Sequence, residues 1–162
     1  MKVETRPLAE IKPYEKNPRI NDAAIDAVAA SIQQFGWRQP IVVDDAGVIV
    51  VGHTRYKAAL KLGLKTVPVH VAADLTPQQA RAYRLADNRS AENAEWDIDL
   101  LPIELGELRD GGADLKLLGF TDKELAEYLR EFDTDLDEGD ADASEAAETI
   151  RCPKCGHEFP LE

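Results

Sequence analysis

The sequence predicts an α+β fold. Three observations carry that expectation: short β-branched runs of strand length up to about residue 72, a segment among them whose apolar residues recur at helical spacing, and sharply marked helix starts further along.

V-E-T-R-P-L reads as a short strand, and Pro13, Asn17 and Pro18 make the following stretch rich in turns. From Asn21 the period becomes helical: Ile25, Val28, Ala29, Ile32 and Phe35 share one face, Asn21 can cap the start and Gly36 can stop it. Pro40 leads into I-V-V-D, Ala46-Gly47 turns the chain and V-I-V-V returns, which predicts a hairpin. A helix from His53 to Leu62 ends at Gly63. V-P-V-H-V-A then adds a strand whose proline places it at an edge or at a strand start.

Thr76-Pro77-Gln78-Gln79 combines a capping threonine, a first-turn proline and a glutamine that can complete a capping box, so a helix runs from Pro77 to about Ser90. Asp97 caps a further helix through Leu101, Leu105 and Leu108, with Pro102 in its first turn and Gly111-Gly112 at its end. At Thr121, Glu124 completes a second capping box and Phe120 staples onto Leu125; Leu125, Tyr128, Leu129 and Phe132 form the apolar face. Residues 133–149 are acidic, rich in alanine and free of aromatics. They offer too little apolar surface to offset the entropy of ordering, so a disordered acidic linker is expected there.

The chain of 162 residues is long enough for one compact domain with appendages. No apolar run approaches the roughly 18 residues of a membrane span, so no membrane association is expected. Met1-Lys2 leads into V-E-T-R-P-L without the apolar stretch of a secretory signal, which points to the cytoplasm. A net charge of −12 argues against nucleic acid, but it is unevenly spread. Residues 1–72 carry 10 Lys and Arg against 7 Asp and Glu, residues 73–132 carry 7 against 14, and residues 133–162 carry 2 against 10. The basic excess belongs to the lobe holding Arg55, which permits an anionic ligand there.

In V-I-V-V-G-H-T-R-Y-K-A-A an apolar strand breaks at Gly52 and a helix opens on His53, Thr54 and Arg55. A helix start presents unpaired N–H groups at the positive end of its dipole, which is the shape of an anion site. A first-turn cation opposes that dipole by a few tenths to about 1 kcal/mol unless an anion lies between them, and this sharpens the case at Arg55. The plainer alternative is that Arg55 pairs with a carboxylate or lies in water. His53 can donate to phosphate from the helix start, whereas His70 reads as a strand residue and Trp37 and Trp96 as packing aromatics. Arg19 and Arg38 either add charge around the pocket or form surface ion pairs.

N-P-R at Asn17–Arg19, S-I-Q-Q-F-G-W-R-Q-P-I-V-V from Ser31, V-G-H-T-R-Y-K-A-A from Val51 and A-D-N-R from Ala86 together resemble the N-terminal domain of the ParB/sulfiredoxin superfamily, in order and in spacing. W-D followed by G-F-T-D-K-E-L-A-E-Y-L is similar to ParB-like domains, also called ParB-like nuclease domains, of phage proteins and of proteins associated with DNA methyltransferases. The helix-turn-helix domain of chromosome-partitioning ParB is not recognisable.

The resemblance implies a ParB/sulfiredoxin-like small mixed sheet with flanking helices over residues 1–92, then a helical extension over 93–132. It implies a nucleoside triphosphate site at Gly52, His53, Thr54, Arg55, Asp87, Asn88 and Arg89, with Mg²⁺ near Asp87, that controls engagement of DNA or a partner. In partitioning ParB the corresponding segment reads G-E-R-R and grips the phosphates of CTP; here Gly52 and Arg55 match it. Asp87 also has a plainer reading, a helical pair with Arg84. A homodimer and a phage or methylation partner protein are the further partners implied. Sulfiredoxins carry a reactive cysteine where His53 stands, so sulfinic-acid reduction is not expected. The alternative functions are an NTPase, nuclease or phosphoryl-transfer enzyme using the same pocket, or a non-catalytic adaptor without nucleotide; no catalytic residue is assigned.

Residues 150–162 contain I-R-C-P-K-C-G-H-E-F-P, which resembles one knuckle of a zinc ribbon. Cys152, Cys155 and His157 supply three ligands of the four a closed zinc site needs, and the alternative is a thiol pair without metal.

Overall fold

Four short strands, β1 (Val3–Pro7), β2 (Ile41–Val43), β3 (Ile49–Val51) and β4 (Thr66–Val71), form one mixed sheet in the computed structural model, which describes residues 2–141, 149–151 and 158–160. Their order is β1-β4-β2-β3, with β4 antiparallel to β1 and parallel to β2, and β2 antiparallel to β3. The expected hairpin is present. Asp44 Oδ1 closes its turn by accepting from the amides of Ala46 and Val48 at 3.1 and 2.9 Å.

The proline of β4 does not mark an edge, because β4 lies between β1 and β2. Pro68 sits opposite Thr5, and the parallel ladder to β2 begins one residue later at Val69, so the missing N–H falls outside that ladder.

Helices α1 (Ile25–Phe35) and α2 (His53–Lys61) pack against each other beside the sheet. Asn21 does not cap α1, which is entered through a 3-10 turn at Asp22–Ala24. Its amide instead donates to Thr54 Oγ1 at 2.9 Å and accepts from Lys57 Nζ at 3.0 Å, a pair of cross-helix partners that includes a cation and outcompetes a local amide. The core beneath comprises Leu8, Ile11, Ile41, Val43, Ile49, Ala59, Val67 and Val69, with Trp37 and Tyr56 packed against it.

Helix α3 (Pro77–Glu92) opens with the full capping box: Thr76 Oγ1 accepts from the Gln79 amide at 3.3 Å while Gln79 Oε1 accepts from the Thr76 amide at 2.9 Å. Before α4 (Leu100–Asp110), Asp97 Oδ1 accepts from the amides of Asp99 and Leu100. A 3-10 turn at Leu115–Leu118 leads to α5 (Asp122–Ala141), where Thr121 and Glu124 form the second box. Leu101, Leu105, Leu115 and Leu125 make a second small core with Phe120, Tyr128 and Leu129.

Helix α5 runs on through 133–141, where the composition predicts a disordered linker. Glycine is absent from that run until Gly139, and extending a formed helix costs far less than nucleating one. Residues 142–148 of the expected linker lie outside the described residues, as do Cys152, Cys155 and His157. Flanking the latter, β5 (Thr149–Arg151) pairs antiparallel with β6 (Glu158–Pro160). Among the described residues no helix is long and apolar enough to cross a membrane.

Candidate functional site

At the end of β3 the chain turns directly into α2, and Gly52 makes that turn with φ 106° and ψ 28°. A Cβ at this position would stand 3.1 Å from Arg55 Nη1 and 3.5 Å from Ile41 Cα, so backbone and space both require glycine. The first intrahelical bond runs from the Tyr56 amide to the Gly52 carbonyl at 3.0 Å. The amides of His53, Thr54 and Arg55 are therefore left without intrahelical acceptors at the positive end of α2. They border a cleft of about 210 Å³ whose other walls include Asn17, Arg19 and Asn21 before α1, and Asp87 and Asn88 of α3.

The structure thus brings Gly52, His53, Thr54, Arg55, Asp87 and Asn88 together and leaves Arg89 out. On a helix each residue turns about 100° from the last, and Arg89 faces a neighbouring groove where its Nη1 donates to Glu92 Oε2 at 2.9 Å. Arg19 lines the cleft while its Nη1 donates to Glu92 Oε1 at 2.5 Å. Arg38 is outside it, donating to the Phe35 carbonyl at 2.6 Å.

The Arg55 guanidinium folds back over Gly52, donating from Nη1 to the Pro40 carbonyl at 3.3 Å and from Nη2 to Gln39 Oε1. Burial lowers its pKa and the Asp87 charge acts in the opposite direction. The first-turn cation is therefore offset within the protein by two oxygens and a nearby carboxylate.

His53 Nε2 accepts from the Tyr14 amide at 3.2 Å, which places the proton of the neutral ring on Nδ1. Burial, then the charges of Arg84 and Lys57, push its pKa down to about 4, so at neutral pH it offers a donor without a charge. Thr54 is held by Asn21.

The helical pair between Asp87 and Arg84 does not form. Arg84 turns into the interior, where it is 4% exposed: Nε donates to the Ile49 carbonyl at 2.8 Å, Nη2 lies 3.6 Å from Asp44 Oδ2, and the guanidinium stacks 4.0 Å from the Tyr14 ring centre. Among the described residues Asp87 makes no ion pair, and Asn88 Nδ2 donates back to the Arg84 carbonyl at 2.7 Å. Arg84 is the structural residue the motifs did not single out. Its signal was a charge one turn after Ala80 on the stripe that continues to Asp87 and Asn88.

Asp87 is the one carboxylate lining the cleft, and among the described residues no group of three or more His, Cys, Asp or Glu is placed to hold a metal. A single carboxylate suits Mg²⁺ carried largely by phosphate oxygens and water.

Residues 1–89 match the family described as ParB N-terminal domain, and residues 99–154 match the ParB-methyltransferase HTH domain. The second match bears out the likeness of W-D and G-F-T-D-K-E-L-A-E-Y-L to ParB-like domains of proteins associated with DNA methyltransferases. The chain is 40% identical over 80 residues to the ParB-like nuclease domain-containing protein YnaK of Escherichia coli, covering 49% of this chain and 92% of that protein. It is 37% identical over 125 residues to the chromosome-partitioning protein Spo0J of Thermus thermophilus, covering 74% of this chain but 43% of that protein. In fold it is similar to the C-terminally truncated chromosome-partitioning protein ParB of Caulobacter crescentus complexed with CTP-gamma-S, with a TM-score of 0.59 and 20% identity over 80% of this chain and 86% of that one.

Proposed function

Because the chain belongs to the ParB N-terminal domain family, we propose that it is a nucleotide-binding, DNA-associated module in which the cleft at the start of α2 takes the phosphates of a nucleoside triphosphate. The observation that carries this reading is the set of amides at His53, Thr54 and Arg55, left unpaired behind the left-handed Gly52 and bordered by Arg19, Asp87 and Asn88. The His53 Nδ1–H adds a neutral donor, and Asp87 helps place Mg²⁺. CTP is named first because the Caulobacter relative of similar fold was crystallised with CTP-gamma-S.

Nucleotide binding in this reading governs how α4 and α5 meet DNA, a second copy of the chain or a partner protein. The match to a ParB-methyltransferase HTH domain supports a partner in DNA methylation, while a phage or mobile-element setting rests on family resemblance alone. Zinc at Cys152, Cys155 and His157 belongs to the same proposal and rests on the knuckle-like sequence C-P-K-C-G-H. A specific observation favours one rival, the adaptor that has lost nucleotide: Arg55 already has oxygen partners at Pro40 and Gln39.

Calorimetric titration of the full chain with CTP, ATP, GTP and UTP, each with Mg²⁺, separates the two. Binding of a triphosphate that weakens roughly tenfold to a hundredfold in Arg55→Ala supports the nucleotide module. No binding of any of the four supports the adaptor.

A further inference from the structure

We infer that Glu92 is the counter-ion that sets how tightly the cleft at the start of α2 takes a triphosphate, holding Arg19 on α3 until phosphate draws it away. The inference rests on the nucleotide reading above and names a regulation of that same site.

Arg19 belongs to two places at once. It lines both the cleft and the outer groove along α3, whereas Glu92 lines the groove alone. The pair joins residues 73 positions apart, with Arg19 Nη1 donating to Glu92 Oε1 at 2.5 Å. Among the described residues this is the hydrogen bond that ties residues 15–20 to another element, because Asn17 bonds only to Tyr14 and to Arg19 itself. No residue from Glu15 to Ile20 is buried, and Ile20 is 92% exposed. The place of the Arg19 side chain is therefore set by its ion pair and not by packing.

Glu92 holds two cations. Arg89 Nη1 donates to its Oε2 at 2.9 Å from one turn earlier on α3, and Arg89 and Arg19 together keep the carboxyl below the usual carboxylate range. The second partner keeps the cost of exchange small: when Arg19 leaves, Glu92 stays charged and paired with Arg89. This gives a role to Arg89, which lies outside the cleft. The cleft and the groove adjoin at Arg19 and Asn88, so the guanidinium has a short way to travel. With side chains 40% and 45% exposed, the Arg19–Glu92 pair is solvated and weak, whereas a triphosphate offers Arg19 several charged oxygens. Phosphate thus takes Arg19, and the strength of the broken pair is subtracted from the affinity.

The test is calorimetric titration of the full chain with CTP and Mg²⁺ at about 0.15 M salt, where the Debye length of about 8 Å suppresses distant charges. The parent is compared with Glu92→Gln, Arg19→Gln, the double variant and Glu95→Gln. Glu92→Gln should bind about two- to fivefold tighter than the parent, and Arg19→Gln at least about threefold weaker. In the Arg19→Gln background, Glu92→Gln should change affinity by less than about 1.5-fold. Glu95→Gln should leave the parent's affinity unchanged, since Glu95 has no ion pair among the described residues. A purely structural brace gives the opposite sign at Glu92, because losing either partner would then loosen the cleft and weaken binding. If Glu92→Gln binds no tighter than the parent, tightens binding equally without Arg19, or is matched by Glu95→Gln, the inference falls and the nucleotide reading stands. A parent that binds none of CTP, ATP, GTP and UTP removes that reading and this inference together.

Discussion

The guanidinium of Arg84 stacks 4.0 Å from the centre of the Tyr14 ring, and the Tyr14 amide donates in turn to His53 Nε2. One buried cation thereby joins α3, which carries Asp87 and Asn88, to the helix start that carries Gly52 and Arg55. Arg84→Met should cost about 2–3 kcal/mol, because it leaves the Ile49 carbonyl unpaired and Asp44 without its cation. Arg84→Lys should recover only part of this, since an ammonium lacks the planar fork that bonds and stacks at once. Urea unfolding checks both, and an Arg84→Met stability within about 0.5 kcal/mol of the parent would remove Arg84 from this role.

His53 links stability to pH. Its folded pKa of about 4 lies below the ordinary 6.5, so between those values the unfolded chain binds more protons than the folded one. The contribution is fully present above pH 6.5 and is lost as pH falls toward 4. Solvent screening at this half-buried ring keeps the loss below the ceiling of about 1.4 kcal/mol per unit. Measured at steps across that window, the parent should lose stability faster than His53→Gln, and parallel curves contradict the assignment.

Gly106 lies in α4 against Phe132 of α5, where a Cβ would come within 2.3 Å of the ring. Alanine gains about 1 kcal/mol of helix propensity over glycine, but overpacking of this order costs about 1–3 kcal/mol or more. Gly106→Ala should therefore lower the melting temperature, and Phe132→Leu in the same chain should restore part of it. A rise in melting temperature for Gly106→Ala alone would show that α4 and α5 do not pack this closely.

For the tail, metal analysis of the purified chain should find at most about one zinc per chain, removed by Cys152→Ser. Zinc held at full occupancy in that variant places the metal elsewhere.

The elements legible in the sequence were those with local causes. Thr76 with Gln79, Thr121 with Glu124, and Asp97 act within one helical turn, and Ala46-Gly47 turns a two-strand hairpin. What escaped depended on partners far along the chain. Pro68 sits in an inner strand because β1 returns to cover it, and Asn21 leaves its helix for Thr54 and Lys57. At the site, the motifs brought Gly52–Arg55 and Asp87-Asn88 together from 35 positions apart, as between Gly52 and Asp87. The exclusion of Arg89, the burial of Arg84 and the attachment of Arg55 to Gln39 and Pro40 depend on how α3 is rotated and where residues 36–40 run. The likeness of the extension to ParB-like domains associated with DNA methyltransferases was legible in W-D and G-F-T-D-K-E-L-A-E-Y-L, a run whose own capping box sets its helix start.

The central claim is tested most directly by following the backbone amide resonances of the full chain while CTP and Mg²⁺ are added. Saturable shifts at His53, Thr54 and Arg55, accompanied by Asn88 across the cleft, with the midpoint moved roughly tenfold to a hundredfold higher in CTP for Arg55→Ala, are the predicted result. Shifts that never saturate, or that saturate only at residues away from the start of α2, would contradict it.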